Sequence, residues 1–535
     1  MAKTKGQNYL YGAAILTAGV AIMKVLGFIY KMPIGNIIGD DGYSMFIETY
    51  NIYNVFLTLA TAGLPIALSR LISEADAEGR VMQARRTFSV AWWSFFAIGL
   101  VCSLIMFCFP KMLATDILHN PPAELSIRAM APAVLLVCLV SAYRGYCQGY
   151  GNMIPTTVGQ VLEVLVKVAV GLALAVVIMR RYNDKALGSA GAIFGVTVGS
   201  AAALIYMLIY KKRYYKYEAV EDPDTPDGSM RIFKHFMRIG IPIALGSSVL
   251  AMLNLLDSSL CMGRLQSAAG FSLGQSQVLY GVYGKAQTLF NLPAAFITPL
   301  TISVVPAIAA AIVRGERGSA TKISEDSMRI ATVICLPMGV GIAVLCSPIL
   351  RVIYPGSHMA GPTLLCIMGV ASFFVCLVLI ENAILQASGK EMLPMYSMIV
   401  GGLVKVAVNW FLVARPEINI YGAPIGTLAS YIVMCVMNFI FMGAVLEKRP
   451  RISAIALRPA LCSAVMGACA WGVYGLCRRF LGDYDRLHML LCLAIAMALA
   501  VVVYFVLVLA LKTVTREDMK LIPGGEKLAA LLHMS

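Results

Sequence analysis

The stretch PTTVGQVLEVLVKVAVGLALAVVIM, residues 155–179, decides the architecture of this chain. It is an apolar run of about 25 residues, and at 1.5 Å per residue a helix of that length outreaches a hydrocarbon core of ~30 Å. Short alternating segments of the kind a β-barrel needs are absent, so the run reads as a transmembrane helix. Near its middle stand Glu163 and Lys167, four residues apart and in the order that favours an ion pair on one helix face.

The hexapeptide LVKVAV within it, residues 165–170, recurs at residues 403–408. Around the two copies, Gln148, Gly151 and Lys167 have counterparts 238 positions later in Gln386, Gly389 and Lys405. Pro155 and Pro394 follow with a one-residue slip. The next apolar run repeats a looser pattern, GAIFGVTVGS from Gly191 and GAPIGTLASY from Gly422. An offset of six spans leaves the orientation unchanged. The duplication therefore predicts parallel halves related by an axis along the membrane normal, with a substrate site between them.

Of the 535 residues, 59% are hydrophobic and 13% charged, against about 25% charged in a soluble protein. Apolar windows predict about 14 spans, near 9–33, 45–70, 87–109, 126–147, 155–179, 188–210, 236–262, 277–312, 325–348, 361–387, 394–413, 421–446, 452–477 and 487–511. The expected fold class is all-α. It is a polytopic membrane protein with two six-helix lobes related by a pseudo-two-fold along the membrane normal, plus two C-terminal helices. The expected divisions are an N-lobe at 1–210, a linker at 211–235, a C-lobe at 236–446, and the last two spans with a tail at 447–535. The linker has an acidic, proline-rich middle and reads as solvated.

A net charge of +15 reflects loop placement rather than nucleic-acid binding. With the N-terminus inside, inner loops and tails hold about 26 Lys/Arg and outer loops about 10. Both termini are then cytoplasmic. The start MAKTKGQNYLYGAAIL is basic and then apolar, lacks a small-residue cleavage site, and reads as a retained span. The 14 cysteines lie mostly in apolar runs and read as small buried hydrophobes. No HExxH or other metal-ligand pattern and no ATP-binding P-loop is present. No outer loop is long enough for a catalytic domain, which argues for a transporter over an enzyme.

Charges inside spans are costly and usually face a bundle interior or a wet cavity. The basic candidates are Lys24, Lys31, Lys167, Lys285 and Lys405, with Arg70 and Arg144 at inner helix ends, where interface anchoring is the simpler role. Lys405 has Gly401 at its i−4 position, so its own helix offers no acid. Lysines at several depths suit an anionic substrate such as a lipid phosphate or pyrophosphate. Among acids and amides, Asn254 and Asp257 share one face, and with Glu381, Asn382 and Asn409 they are candidates for a sodium or proton site. The alternative for these five is satisfied interhelical hydrogen bonds. No firm metal site and no cofactor is read. Prolines at Pro65, Pro293, Pro299 and Pro306 predict kinks.

The segment MKVLGFIYKMPIGNIIGDDGYSMFIETYNIYNVFLTLATAGLPIALSRLISEADAEGR, residues 23–80, resembles the first two spans of bacterial polysaccharide-type flippases. The resemblance is to the stage V sporulation protein B and lipid II flippase branch of the multidrug/oligosaccharidyl-lipid/polysaccharide exporter superfamily. Its carriers are the basic residue before Val25-Leu26-Gly27, the turn GDDGYSMF and the run TAGLPIALSRLISE. The resemblance implies alternating access and outward movement of an undecaprenyl-pyrophosphate-linked saccharide, such as lipid II, across a bacterial cytoplasmic membrane. Membrane potential or a sodium or proton gradient would drive it. It implies head-group roles for Lys24, Asp41, Arg70 and Lys285. Where a second basic residue is expected in span 1 stands Tyr30, with Lys31 beside it. The last two spans resemble the pair that forms a groove for the polyprenyl tail. Implied partners are the lipid-linked saccharide, membrane lipids and cell-wall synthesis proteins, in a general or a sporulation role, with no nucleic acid. The alternative is a cation-coupled drug antiporter of the multidrug-exporter type, which shares the fold.

Overall fold

The structure is a computed structural model and describes residues 9–214, 224–447, 449–481, 485–511 and 513. The first residues, the middle of the linker and the C-terminal tail read from sequence lie outside the described residues.

Helices account for nearly all of what is described. They are α1 (Tyr9–Ile37), α2 (Gly39–Thr61), α3 (Leu64–Ala77), α4 (Val81–Cys108), α5 (Pro110–Met112), α6 (Glu124–Gly149), α7 (Ile154–Tyr182), α8 (Lys185–Tyr214) and α9 (Ser229–Ser267). The remainder are α10 (Leu273–Phe290), α11 (Leu292–Val313), α12 (Arg317–Val344), α13 (Cys346–Ile353), α14 (Gly361–Ala387), α15 (Met392–Leu412), α16 (Gly422–Val445), α17 (Ile452–Leu481) and α18 (Arg486–Ala510). Among the described residues, 13 spans are long and apolar enough to cross a membrane. The 29-residue α1 corresponds to the first expected span.

Two expected spans are broken where a proline opens the next helix. α2 ends at Thr61 and α3 starts at Leu64, with Pro65 in its first turn. The break brings Gly63 against the backbone of Gly240 in α9, closer than any side chain would allow. α10 ends at Phe290 and α11 begins at Leu292, with Pro293 in its first turn. Proline supplies no N–H and tolerates only a first-turn position without cost, so each proline restarts a helix rather than bending one. Pro299 and Pro306 lie inside α11.

The chain forms two compact units, Met1–Gln266 with Ser272–Gly281, and Ser267–Phe271 with Val282–Ser535. α9 packs within the first unit. Phe236 meets Phe95 with ring centroids 6.1 Å apart, and Gly263 lies against the His119 ring. Part of the linker is docked rather than solvated. Asp224 accepts from the backbone N–H groups of Met82 and Gln83 at 2.6 and 3.0 Å, capping α4. The Asp227 N–H donates to Gln83 Oε1 at 2.7 Å.

In the second unit, Ile297, Val304, Ile308, Ile380 and Ile384 form a buried core with Cys335 and Met442. α17 and α18 add a second core around Cys462, Met466, Leu493 and Tyr504. The Tyr504 hydroxyl donates to the Val333 carbonyl of α12 at 2.6 Å, and Arg486 donates twice to the Val352 carbonyl.

Candidate functional site

Four charged residues of the first unit, Lys31, Arg144, Glu163 and Lys167, gather where α1, α6, α7 and α8 meet. Tyr30 of α1 is buried, and its hydroxyl donates to the Ala192 carbonyl of α8 at 2.7 Å. Lys167 of α7 extends over that ring, with Nζ 5.7 Å from its centroid, a cation–π distance. Lys31, next to Tyr30, is close enough to Lys167 for the two ammonium groups to repel. Close packing of α7 on α8 holds the arrangement. A Cβ on Gly195 would sit 2.8 Å from the Lys167 carbonyl oxygen, and one on Gly199 2.5 Å from that of Glu163.

The sequence expects Glu163 to share its charge with Lys167. Instead, its carboxylate accepts from Arg144 Nη2 of α6 at 2.8 Å and from Ser200 Oγ of α8 at 3.2 Å. Arg144 is thus a part-buried interhelical partner and not an interface anchor. Its side chain is 14% exposed and that of Glu163 19%. An arginine fork satisfies a carboxylate better than an ammonium on the same helix, and this pairing leaves Lys167 to the tyrosine face. The group holds three cations, Lys31, Lys167 and Arg144, against one carboxylate, Glu163.

The other expected head-group residues are placed variously. Lys24 is exposed on α1. Asp41, in the first turn of α2, is bound by Lys185 at 2.8 Å. Arg70 pairs with Glu74 one turn on at 2.8 Å, on an exposed face of α3. In the second unit, Lys285 is buried over the Tyr354 ring at 5.0 Å, with Ser357 Oγ at 3.5 Å. Lys405 is half-buried on α15, and its carbonyl faces Gly426 of α16.

The five ion candidates fall in both units. Asn254 is exposed and Asp257 buried on α9. Asp257 lies 3.9 Å from Cys261 Sγ. In the second unit the fully buried Glu381 has Cys435 Sγ at 3.2 Å, and Asn382 accepts from Asn438 at 2.8 Å. Asn409 is buried against Gly426. Among the described residues, no group of three His, Cys, Asp or Glu side chains is arranged to hold a metal ion.

Sequence reasoning missed Tyr30 as a cation platform and Lys211 altogether. Lys211 stands at the start of the expected linker. It lies in α8, 3.4 Å from the centre of the Phe88 ring and near Tyr143 and Tyr146. The signal was the tyrosine-rich end of the sixth apolar run, YMLIYKKRYY from Tyr206.

The profile of the family described as "Polysaccharide biosynthesis protein" matches residues 9–312. The chain belongs to that family. It is 26% identical over 466 residues to "Stage V sporulation protein B" of Bacillus subtilis (strain 168), covering 84% of this chain and 86% of that protein. It is 24% identical over 449 residues to "Lipid II flippase MurJ" of the same organism, covering 81% and 82%. Among solved structures, it shares its fold with "Lipid II flippase MurJ, inward closed conformation" at a TM-score of 0.66, with 12% identity over 92% of this chain and 98% of that one. An inward-facing multidrug resistance MATE family transporter of the MOP superfamily superposes at 0.65, with 15% identity over 80% and 97%. The protein is a multi-pass membrane protein with the all-α fold of that superfamily.

Proposed function

We propose that this protein is a flippase that moves an undecaprenyl-pyrophosphate-linked saccharide, lipid II or a related envelope precursor, outward across the bacterial cytoplasmic membrane. The observation that carries this reading is the cation excess of this group in the first unit, with Lys31 and Lys167 beside Tyr30 while Arg144, not Lys167, pairs with Glu163. Membrane-depth cations with so little acid nearby suit an anionic head group, and a cavity for lipophilic cations needs the reverse sign. The two curated relatives, one of them named as a lipid II flippase, support the substrate class. Alternating access moves the head group, with no chemical step for the protein to catalyse. An inside-negative potential assists outward passage of an anion by ~2.3 kcal/mol per charge per 100 mV, and an ion gradient through Asp257 or Glu381 is the other drive. α17 and α18 are the candidates for holding the polyprenyl chain, and cell-wall synthesis enzymes are the proposed downstream partners.

The test is lipid II accessibility at the outer face of cells depleted of their own flippase and supplied with this protein. Wild type restores accessibility, and Lys167→Ala or Lys24→Ala abolishes it at equal membrane expression. Arg70→Ala, which breaks only an exposed pair, retains it. Restoration undiminished by Lys24→Ala and Lys167→Ala together overturns the cationic path. Wild type that inserts but restores nothing points to another glycan or to the antiporter reading, in which Asp257→Asn or Glu381→Gln abolishes drug resistance.

A further inference from the structure

Glu48 of α2 has no measurable exposure, and neither does its partner Asn120, in the segment before α6. The Asn120 Nδ2 group donates to Glu48 Oε2 and, at 3.4 Å, to Ser44 Oγ. The Asn120 Oδ1 accepts from Gln277 Nε2 of α10 at 2.7 Å. The amide is thereby fully engaged, yet Glu48 Oε1 has no hydrogen-bond partner. No basic side chain among the described residues forms an ion pair with Glu48.

An ionised carboxylate enclosed this way lacks both water and a counter-charge, and the neutral acid is the form such a site holds. One open oxygen accepts one proton and is too little for a metal shell. The titratable groups on neighbouring elements leave this unchanged. Tyr280 of α10 lies beside Glu48, and Asp257 of α9 lies beside the same tyrosine. His119, next to Asn120, has its ring against Gly263. Asp41 at the start of α2 is bound by Lys185, while Asp40 offers its backbone to α10. Among the described residues, no charged side chain of α1, α6 or α8 acts on it.

The same group seats α10. Gly281, one turn after Gln277, lies so close to the Asp40 carbonyl that no side chain fits there. The first half of α10 is thus held on α2 at two points, a bare backbone contact and the Gln277–Asn120–Glu48 chain. We propose that Glu48 is a proton-binding site whose occupancy keeps residues 273–281 of α10 seated on α2. Loss of the proton leaves a charge that only water or a cation can satisfy, and admitting either lifts α10. The assignment deepens the transport reading by naming the coupling ion, and its test requires no transport.

The full chain, reconstituted in liposomes of phosphatidylethanolamine and phosphatidylglycerol, is titrated by infrared spectroscopy. At neutral pH the wild type shows the carbonyl stretch of an un-ionised carboxylic acid, and part of that band is missing in Glu48→Gln. Glu48→Gln is near-isosteric and keeps an acceptor for Asn120, so it folds. Glu48→Asp retains a titrating band. Equal band intensity in wild type and Glu48→Gln overturns the site. Hydrogen exchange of residues 273–281, corrected for intrinsic rates, reads the coupling. Raising the pH through the titration speeds exchange about tenfold in wild type and leaves Glu48→Gln unchanged. Exchange that stays flat in wild type, or rises equally in both, overturns the link to α10. A midpoint that moves with sodium concentration at fixed pH shows that a metal cation takes the place and overturns the assignment to a proton alone.

Discussion

The turn into α7 and the turn into α15 are two copies of one device. Gly151 and Gly389 have φ of +71° and +72°. The Gly151 N–H donates to Gln148 O at 2.9 Å and the Asn152 N–H to Cys147 O at 3.0 Å, while Gly389 bonds Gln386 at 3.0 Å and Lys390 bonds Leu385 at 3.1 Å. Both close the preceding helix with a left-handed residue. Along the next helix, the carbonyls of Lys167 and Lys405 each face a glycine, Gly195 and Gly426. Side chains have diverged over this shared backbone. At the same 238-residue offset, Arg144 corresponds to Asn382 and Glu163 to Gly401. The first unit joins α6 to α7 through an ion pair. The second joins α14 to α16 through Asn382 and Asn438, and fills the space at Gly401 with Met434. Glycines that set close approach constrain backbone and persist through duplication, while charges between helices are free to specialise.

The sharpest way to break this comparison is to remove the polar partner in each half. Arg144→Ala leaves Glu163 largely buried with only Ser200, and destabilises the protein by up to about 3 kcal/mol, the low end for breaking a buried pair. Asn382→Ala removes one neutral interhelical bond, worth about 0.6 kcal/mol in membrane helices. Thermal unfolding of both variants in one detergent measures the difference. The double variant Arg144→Met/Glu163→Leu recovers most of the loss. Equal costs in the two halves would mean that the ion pair adds nothing beyond an ordinary contact.

The helix contacts give the next test. A Cβ at Gly195 meets the backbone of Gly171 at 2.6 Å and the Lys167 carbonyl at 2.8 Å, so two main chains must part. At Gly426 the collision is with the Asn409 side chain, and the nearest backbone, Lys405 O, is 3.3 Å away. Gly195→Ala costs about 2 kcal/mol and Gly426→Ala about 1 kcal/mol, since side chains yield where backbone does not. The same melts read both. A cost at Gly426 that matches Gly195 would show that Asn409 is held as rigidly as main chain.

Much of this was legible in the sequence, for identifiable reasons. Apolar run length locates a span because the bilayer imposes it, so α14 begins and ends where the hydropathy does. The doubled LVKVAV located both turns and both lysines. The breaks at Gly63 and Asn291 were legible only as kinks, because whether proline bends or restarts a helix depends on what packs there. Pairings across elements were not legible. A spacing of four suggested Glu163 with Lys167, but the partner came from 19 residues away. Glu48 is held through residues 72 and 157 positions apart along the chain of contacts. The docking of Asp224 on α4 was hidden in the same way, since an acidic, proline-rich segment reads as solvated until a helix N-terminus is found for it.

The smallest expected difference between the halves is the one that tests whether the two turns are truly equivalent. Gly151 and Gly389 both have open space where a Cβ would be, so alanine there meets no neighbour. Only the left-handed backbone resists, and each substitution costs about 1 kcal/mol, the usual penalty for an L-residue in that conformation. Asn at either position costs less, because its side chain tolerates a positive φ. The comparison predicts equal shifts in melting temperature for Gly151→Ala and Gly389→Ala, and sums in the double variant, since the turns lie in separate units. A larger loss at one turn has no steric source in its surroundings. It would place an additional constraint on that turn, and hydrogen exchange at Asn152 and Lys390, whose N–H groups close the two turns, would show which one carries it.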